Sequence, residues 1–193
     1  MFDSPNLAEW QAQTFANLRS VAAPFTVSIG LIALIALVLR GLVPAYVRDR
    51  LVHWRWNFPL PGARAFTEIG PADPRVSMKA LSKRYRLLPT DPAAQSAKFY
   101  EIYSQYRNAV GVLDAHKSYL AARDIALITA LLMPVLPTMY FLISHAIGTS
   151  VYYAAALFVA FVVISRAAQI YGARLVENTL AVASAGVTRS RRP

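Results

Sequence analysis

The chain has 193 residues, 56% of them hydrophobic, and its 20 Lys and Arg outnumber its 10 Asp and Glu to give a formal net charge of +10. The mean hydropathy of +0.38 is high for a soluble domain of this length and favours a membrane protein. Because the chain has no cysteine, disulfides, thiol nucleophiles and thiolate metal sites are excluded.

The first two predicted elements are an interfacial helix over residues 1–19, on the outer side, and a membrane span over residues 20–47. Ser4 followed by Pro5 is a helix-start signal. Residues 20–39 carry no charge, and the extended helix can cross a hydrocarbon core about 30 Å thick. A cleaved signal peptide is the alternative, but it would need basic residues ahead of the apolar run, where this chain is acidic.

A basic cytoplasmic insert is predicted over residues 48–123, which hold thirteen basic and six acidic residues. Residues 53–66 combine aromatic residues with prolines and are expected to form an ordered loop without helical period. A short helix is predicted over residues 75–86. Asp91 and Pro92 then form a helix start, from which one continuous helix is expected to run into the second span.

Two further spans are predicted over residues 124–145 and 150–170. Residues 125–165 contain no Asp, Glu, Lys or Arg and are too many for one crossing. A basic cytoplasmic tail follows over residues 171–193. All basic flanks fall on one side if the N-terminus is outside and the C-terminus is cytoplasmic, as in a multi-pass protein of the cell inner membrane. The predicted fold class is therefore an all-α membrane protein with three transmembrane helices and a mostly helical cytoplasmic insert between the first and second.

The densest basic cluster of the insert is the candidate ligand-binding site. It consists of Lys79, Lys83, Arg84, Tyr85 and Arg86, and on a helix Lys79, Lys83 and Arg86 would share one face. Cations beside an aromatic ring that can stack on a base suit an oligonucleotide or nucleotide ligand. Anionic lipid headgroups are the alternative partner, because they attract the same residues.

Three residues near the predicted spans are candidates for a gating role. Arg40 lies near the inner end of the first span, where an arginine can line a pore or extend its charge toward the headgroups. Pro134 and Pro137 lie in the middle of the second span, where they free backbone carbonyls and favour a bend. Such a bend can be a hinge or a static kink that packs against its neighbours.

No catalytic constellation is recognisable in the sequence. The three histidines, His53, His116 and His145, are far apart, and none has a second histidine three or four residues away. Neither a phosphate-binding glycine loop nor a Gly-x-Ser-x-Gly motif occurs. We therefore predict that the protein is not an enzyme and has no catalytic residue, no metal site and no cofactor.

The layout resembles that of small membrane effectors of bacterial anti-phage systems. The resemblance rests on the predicted spans with their basic insert, on Leu60-Pro-Gly-Ala-Arg-Ala-Phe66 and Ala72-Asp-Pro-Arg75, and on the Tyr-rich helix at 99–106. The chain is similar in layout to the channel effectors of the Hailong system. In that family a nucleotidyltransferase partner makes DNA oligomers that hold an oligomeric membrane channel closed, and loss of the oligomer opens it. The membrane effectors of cyclic-oligonucleotide signalling systems share this layout.

The resemblance implies a homo-oligomeric channel effector that depolarises the membrane in anti-phage defence and is gated through its insert by an oligonucleotide or nucleotide. Its implied partners are the lipid bilayer, further copies of the chain, with a tetramer as the working stoichiometry, and a nucleotidyltransferase. The alternative is a non-conducting, membrane-anchored structural or assembly protein whose basic insert binds lipids or a cytoplasmic partner.

Overall fold

The computed structural model describes residues 41–189, of which those from Val43 onward form one compact unit. This unit contains five α-helices of eight or more residues: α1 (Ala45–His53), α2 (Met78–Tyr85), α3 (Pro92–Tyr106), α4 (Val110–Ser144) and α5 (Ile147–Arg189). Three short helical turns lie between α1 and α2: a 3-10 turn (Pro61–Arg64), a π turn (Ala65–Ile69) and an α-helical turn (Gly70–Ala72). The described residues contain no strand, so the all-α prediction is confirmed for this part of the chain. The predicted interfacial helix, nearly all of the predicted first span, and Arg40 lie outside the described residues.

Helices α4 and α5 form an antiparallel pair that is long and apolar enough to cross a membrane, by length and composition. The mean hydropathy of their most apolar windows is 2.0 and 2.1. His145 closes the pair: its backbone is left-handed, with a φ of 53°, and its N–H donates to the Phe141 carbonyl at 2.8 Å. Because α5 already begins at Ile147, the turn is shorter than the predicted one.

The charge-free part of this pair, residues 125–165, is called the apolar hairpin below. Only 17% and 11% of its two most apolar windows are buried, so most of this surface faces outward. Exposed apolar surface on this scale must contact lipid or another protein chain, because water would disfavour it strongly. The hairpin therefore indicates membrane association.

Helices α2 and α3 and the three short turns pack around the C-terminal part of α5. Residues 61–106 and 171–186, called the polar module below, share one apolar core: Ala65, Phe66, Val76, Leu81, Phe99, Ile102, Val176, Leu180 and Ala183. Residues 171–189, predicted as part of a basic cytoplasmic tail, continue helix α5. The apolar residues of this segment recur at helical spacing, and they complete a core that the insert cannot close alone.

A buried glutamine holds the turns of the polar module in place. The side chain of Gln95 is 1% exposed, and its Oε1 accepts from the Phe66 N–H at 3.0 Å. Its Nε2 donates to the Thr90 carbonyl at 2.8 Å and to the Thr67 hydroxyl at 3.1 Å. Since buried amides are costly when unpaired, these bonds fix the π turn against the start of α3.

The helix start predicted at Asp91 and Pro92 is observed, whereas α2 starts at Met78, inside the predicted range 75–86. Ser77 caps α2 by accepting from the Ala80 N–H at 3.3 Å, and Asp91 caps α3 by accepting from the Ala94 N–H at 3.0 Å. Residues 61–66, however, are helical turns and not the predicted loop. Gly62 lets the 3-10 turn pack closely against α3, because a Cβ there would lie 2.7 Å from Cδ1 of Phe99.

The continuous helix predicted from Asp91 into the second span is wrong. Helix α3 ends at Tyr106, and α4 starts at Val110 after an extended Ala109 with a ψ of 132°. The Ala109 N–H donates to the Tyr106 carbonyl at 2.9 Å and closes a turn between the two helices. Asn108 in the turn and Gly111 beyond it weaken the helix locally, so that α3 can lie over the 3-10 turn instead of extending α4.

Candidate functional site

The first candidate site is the junction at which α1 packs onto α4 and α5, beside the apolar hairpin. Val52 of α1 is fully buried in a cluster with Ala122, Ala126, Phe161 and Ala168. Three of these partners are alanines, and small residues of this kind allow close helix contact. Helix α1 is therefore fixed to both long helices where their charge-free tract begins.

Two hydrogen bonds hold the end of α1 in the junction. Gln169 Nε2 donates to the Val52 carbonyl at 3.0 Å, and His53 Nε2 lies 3.1 Å from the Tyr119 hydroxyl. Burial, together with the positive charges of Arg64, Arg123 and Arg55, lowers the pKa of His53 to about 4. Burial also raises the pKa of Tyr119 to about 12. A neutral imidazole thus accepts from a protonated phenol at neutral pH.

Two cations and two anions surround this pair. Arg123 Nη2 lies 3.2 Å from Asp124 Oδ1, with side chains only 11% and 13% exposed. On α1, Arg48 Nε lies 4.0 Å from Asp49 Oδ1. Burial raises the pKa of Asp49, although the charges of Arg123 and Arg48 oppose the shift. The junction is thus a partly dehydrated, charge-balanced network, and its energy depends strongly on the position of α1.

Sequence reasoning missed this junction. It placed residue 47 at the end of a span and residues 48 onward in a basic insert whose first helix was predicted only at residues 75–86, whereas α1 covers Ala45–His53. The available signal was the absence of Gly and Pro from residues 45–58, with Pro44 before them as a helix start. Asp49 also lies four residues before His53, a spacing used by metal ligands on helices. The described residues nevertheless bring together no group of three His, Cys, Asp or Glu that could hold a metal.

The predicted basic cluster is divided between two faces. Lys79 and Lys83 are exposed on one face of α2, one turn apart. Arg84 points to another face, where its guanidinium lies 5.6 Å from the Tyr85 ring and 5.7 Å from the Tyr106 ring. Lys98 lies 5.4 Å from the same Tyr85 ring. Tyr85 is therefore already in contact with two cations and is not a free platform for a base.

Arg86 lies beyond the end of α2 and does not share the face of Lys79 and Lys83. Its φ of 60° and ψ of −75° place it at the centre of a γ-turn, and the Leu87 N–H donates to the Tyr85 carbonyl at 2.8 Å. This conformation is strained for a residue with a side chain and occurs mostly at functional or ligand-binding positions. The strained turn at Arg86 therefore supports a binding role for the cluster, in addition to its density of positive charge.

Both predicted gating prolines lie inside α4, which continues through them to Ser144. Pro137 is buried and Pro134 is exposed. The Thr138 hydroxyl donates to the Pro134 carbonyl at 2.7 Å, a type of bond that often bends helices. Their gating role stays a prediction.

Comparison of the chain with known protein families, curated proteins and solved structures finds no match.

Proposed function

We propose that this chain is the subunit of a homo-oligomeric channel in a bacterial inner membrane, gated through its polar module by an oligonucleotide or nucleotide in anti-phage defence. The continuity of α5 is the observation that carries the proposal. This helix has 43 residues and is about 65 Å long. Its first half belongs to the apolar hairpin and its second half to the core of the polar module. Movement of the module therefore moves a helix of the hairpin, unless α5 breaks.

The candidate ligand-binding residues lie on and just after α2, which packs against this helix. Arg84 of the basic cluster is next to Gly186 of α5, where a Cβ would lie 3.2 Å from the Arg84 Nη1. Lys79, Lys83 and Arg86 are exposed and available to an anion. A phosphate chain that contacts these cations would change the forces on α2 and, through the shared core, on α5.

The exposed apolar hairpin supports a homo-oligomer. Two or three helices cannot enclose a pore, so conduction requires several copies of the chain around one axis. Alanines on the outer side of α5, such as Ala155 and Ala156, would allow copies to approach closely.

Ion flux into liposomes tests the proposal. The purified full chain, reconstituted with a potassium gradient and a voltage-sensitive dye, should depolarise the vesicles, and a single-stranded DNA oligonucleotide should change the rate. The variant K79Q/K83Q should lose most of the oligonucleotide effect, because two phosphate contacts are removed. The variant R107Q/K117Q loses the same charge from exposed positions outside α2 and should respond as the parent does.

Absence of flux with and without oligonucleotide, from vesicles that contain inserted oligomers, would contradict conduction. One observation favours the non-conducting, membrane-anchored assembly protein in that case. The hydroxyls of Thr129 and Thr138 donate to carbonyls of their own helix, at 2.9 and 2.7 Å, and so are already satisfied. A pore built from this hairpin would have to be gated by a narrow hydrophobic constriction.

A further inference from the structure

A cavity lies at the end of α1, separate from the basic cluster on α2. It has a volume of about 420 Å³ and opens between α1, the 3-10 turn and the middle of α5. Arg55, Arg64 and Arg166 line it, together with His53 and Trp54. No carboxylate is among its described lining residues, so an anion entering it would meet three guanidinium groups.

The arginines keep hydrogen-bond donors free for a ligand. Arg64 uses Nη1 for an ion pair with Glu68 at 3.1 Å, while its buried Nε has no acceptor among the described residues. Arg166 donates from Nη1 to Gln169 at 2.9 Å, and its guanidinium lies 5.9 Å from the Trp54 ring. Since each guanidinium carries five N–H donors in a planar fork, both can still bind a tetrahedral oxyanion.

The surroundings of the cavity favour anions and disfavour further cations. Neighbouring positive charge, including that of Arg64 and Arg55, adds to the burial that keeps His53 neutral. A bound phosphate would offset this repulsion between like charges. The cavity also retains apolar walls from Ile69 and Ile170, which suit the glycerol and first acyl carbons of a lipid.

The position of the cavity relative to the hairpin matches a headgroup layer. Arg166 is the first charged residue after the charge-free residues 125–165. Trp54, at 46% exposure, has the amphipathic ring that is enriched where a membrane meets water. If the hairpin crosses a membrane, the three arginines lie near the depth of the lipid phosphates.

We propose that this cavity binds a phosphate ester, with Arg64 and Arg166 donating to its oxygens, Arg55 adding charge and Trp54 covering one side. Because the cavity lies near the level of the lipid phosphates, the phosphate of an anionic phospholipid is favoured over that of a soluble ester. The lipid would fasten α1 to α5 from outside the junction. The inference rests on the membrane placement of the proposed function and is independent of conduction.

Native mass spectrometry of the full chain in mild detergent tests the proposal, with phosphatidylglycerol as the probe and diacylglycerol, which lacks the phosphate, as the reference lipid. The parent should retain phosphatidylglycerol in preference to diacylglycerol. The variant R64Q/R166Q should bind phosphatidylglycerol at least about tenfold more weakly, because two charge-assisted bonds are lost. The variant R64K/R166K keeps the charge without the planar fork and should be intermediate.

The control R107Q/K117Q, which loses the same charge elsewhere, should bind as the parent does. Glycerol 3-phosphate distinguishes the two phosphate sources: competition at a concentration similar to that of the lipid indicates a soluble ester, and failure to compete indicates the phospholipid. Equal phosphatidylglycerol binding by the parent and R64Q/R166Q, with helicity and oligomer size unchanged, would overturn the proposal. Because binding is measured without flux, this failure is distinct from failure of the channel proposal.

Discussion

At the scale of single residues, burial decides which side chains of the junction are charged. His53 is 6% exposed and has three arginines nearby. Burial and these positive charges lower its pKa, so its imidazole is neutral at physiological pH. Its bond to Tyr119 joins α1 to α4 across 66 residues of sequence. Protonation would place a cation among cations in a site with little water, and this makes the junction sensitive to acid.

We predict that stability falls as pH is lowered through the window set by His53. The pKa of this group is about 4 in the folded chain and 6.5 when unperturbed, so the unfolded chain binds the proton first. The contribution of neutral His53 to the free energy of unfolding is therefore fully present above pH 6.5. It is lost as the pH falls toward 4, which lowers the free energy of unfolding by up to about 3 kcal/mol. Thermal unfolding of the parent and of His53→Gln across this range should show a shallower decrease in the variant.

Tyr119→Phe is the matched control for this prediction. It removes the same hydrogen bond and should cost about 1 kcal/mol or more at all pH values, but it leaves the imidazole free to titrate. Identical pH profiles for the parent and His53→Gln would show that carboxylates, and not His53, set the acid sensitivity.

At the scale of elements, local signals predicted helix starts well and helix connections poorly. Asp91 caps the N–H group three residues further on, so the start of α3 could be predicted from the sequence, and the cap at Ser77 has the same short range. The break at residues 107–109 depends on α3 packing elsewhere, a contact between distant segments. No sequence pattern within residues 107–111 is strong enough to predict this break.

The candidate sites show the same division. Lys79 and Lys83 could be placed on one face because a helical period relates them, but the strained turn at Arg86 follows the helix end and has no local signature. The junction and the arginine cavity combine residues from α1, the 3-10 turn and α5. A single sequence contains the charges of such sites but not the pairing of the elements that brings them together.

The contact between the 3-10 turn and α3 gives a prediction for Gly62. A Cβ at this position would lie 2.7 Å from Cδ1 of the buried Phe99, so Gly62→Ala should overpack the module and cost about 1–3 kcal/mol. Thermal unfolding in detergent should therefore show a midpoint lower by several degrees.

Gly111→Ala provides the comparison for that measurement. This glycine lies in the first turn of α4, and the nearest side-chain atom to an added Cβ would be Nδ2 of Asn178 at 4.0 Å. The substitution should be neutral or stabilising, by up to about 1 kcal/mol, because alanine favours the helix. A Gly62→Ala midpoint equal to that of Gly111→Ala would show that the turn moves away from α3 at little cost.

At the scale of the whole molecule, the hairpin places its turn and the polar module at opposite ends of α5. If the hairpin crosses a membrane, residues near 145–150 and residues near 104 must lie on opposite sides. The positive flanks favour the module on the cytoplasmic side.

Single cysteines test this orientation, because the chain has none of its own. In right-side-out spheroplasts, a membrane-impermeant maleimide should label Thr149→Cys and leave Ser104→Cys unlabelled. Both positions are exposed, so both should react after the membrane is dissolved. Labelling of Ser104→Cys in intact spheroplasts would reverse the orientation, and labelling of neither position would place the turn within the bilayer.

The unbroken course of α5 also limits how the chain can change in length. One inserted residue between residues 169 and 174 would rotate the two halves of the helix against each other by about 100°. Ala168 could then face Val52, or Leu180 could face the module core, but not both. Seven inserted residues would nearly restore the angle but would move the halves apart by about 10 Å. Descendants of this sequence can therefore accept substitutions in this segment, whereas insertions and deletions should accumulate at residues 107–109 and at the hairpin turn.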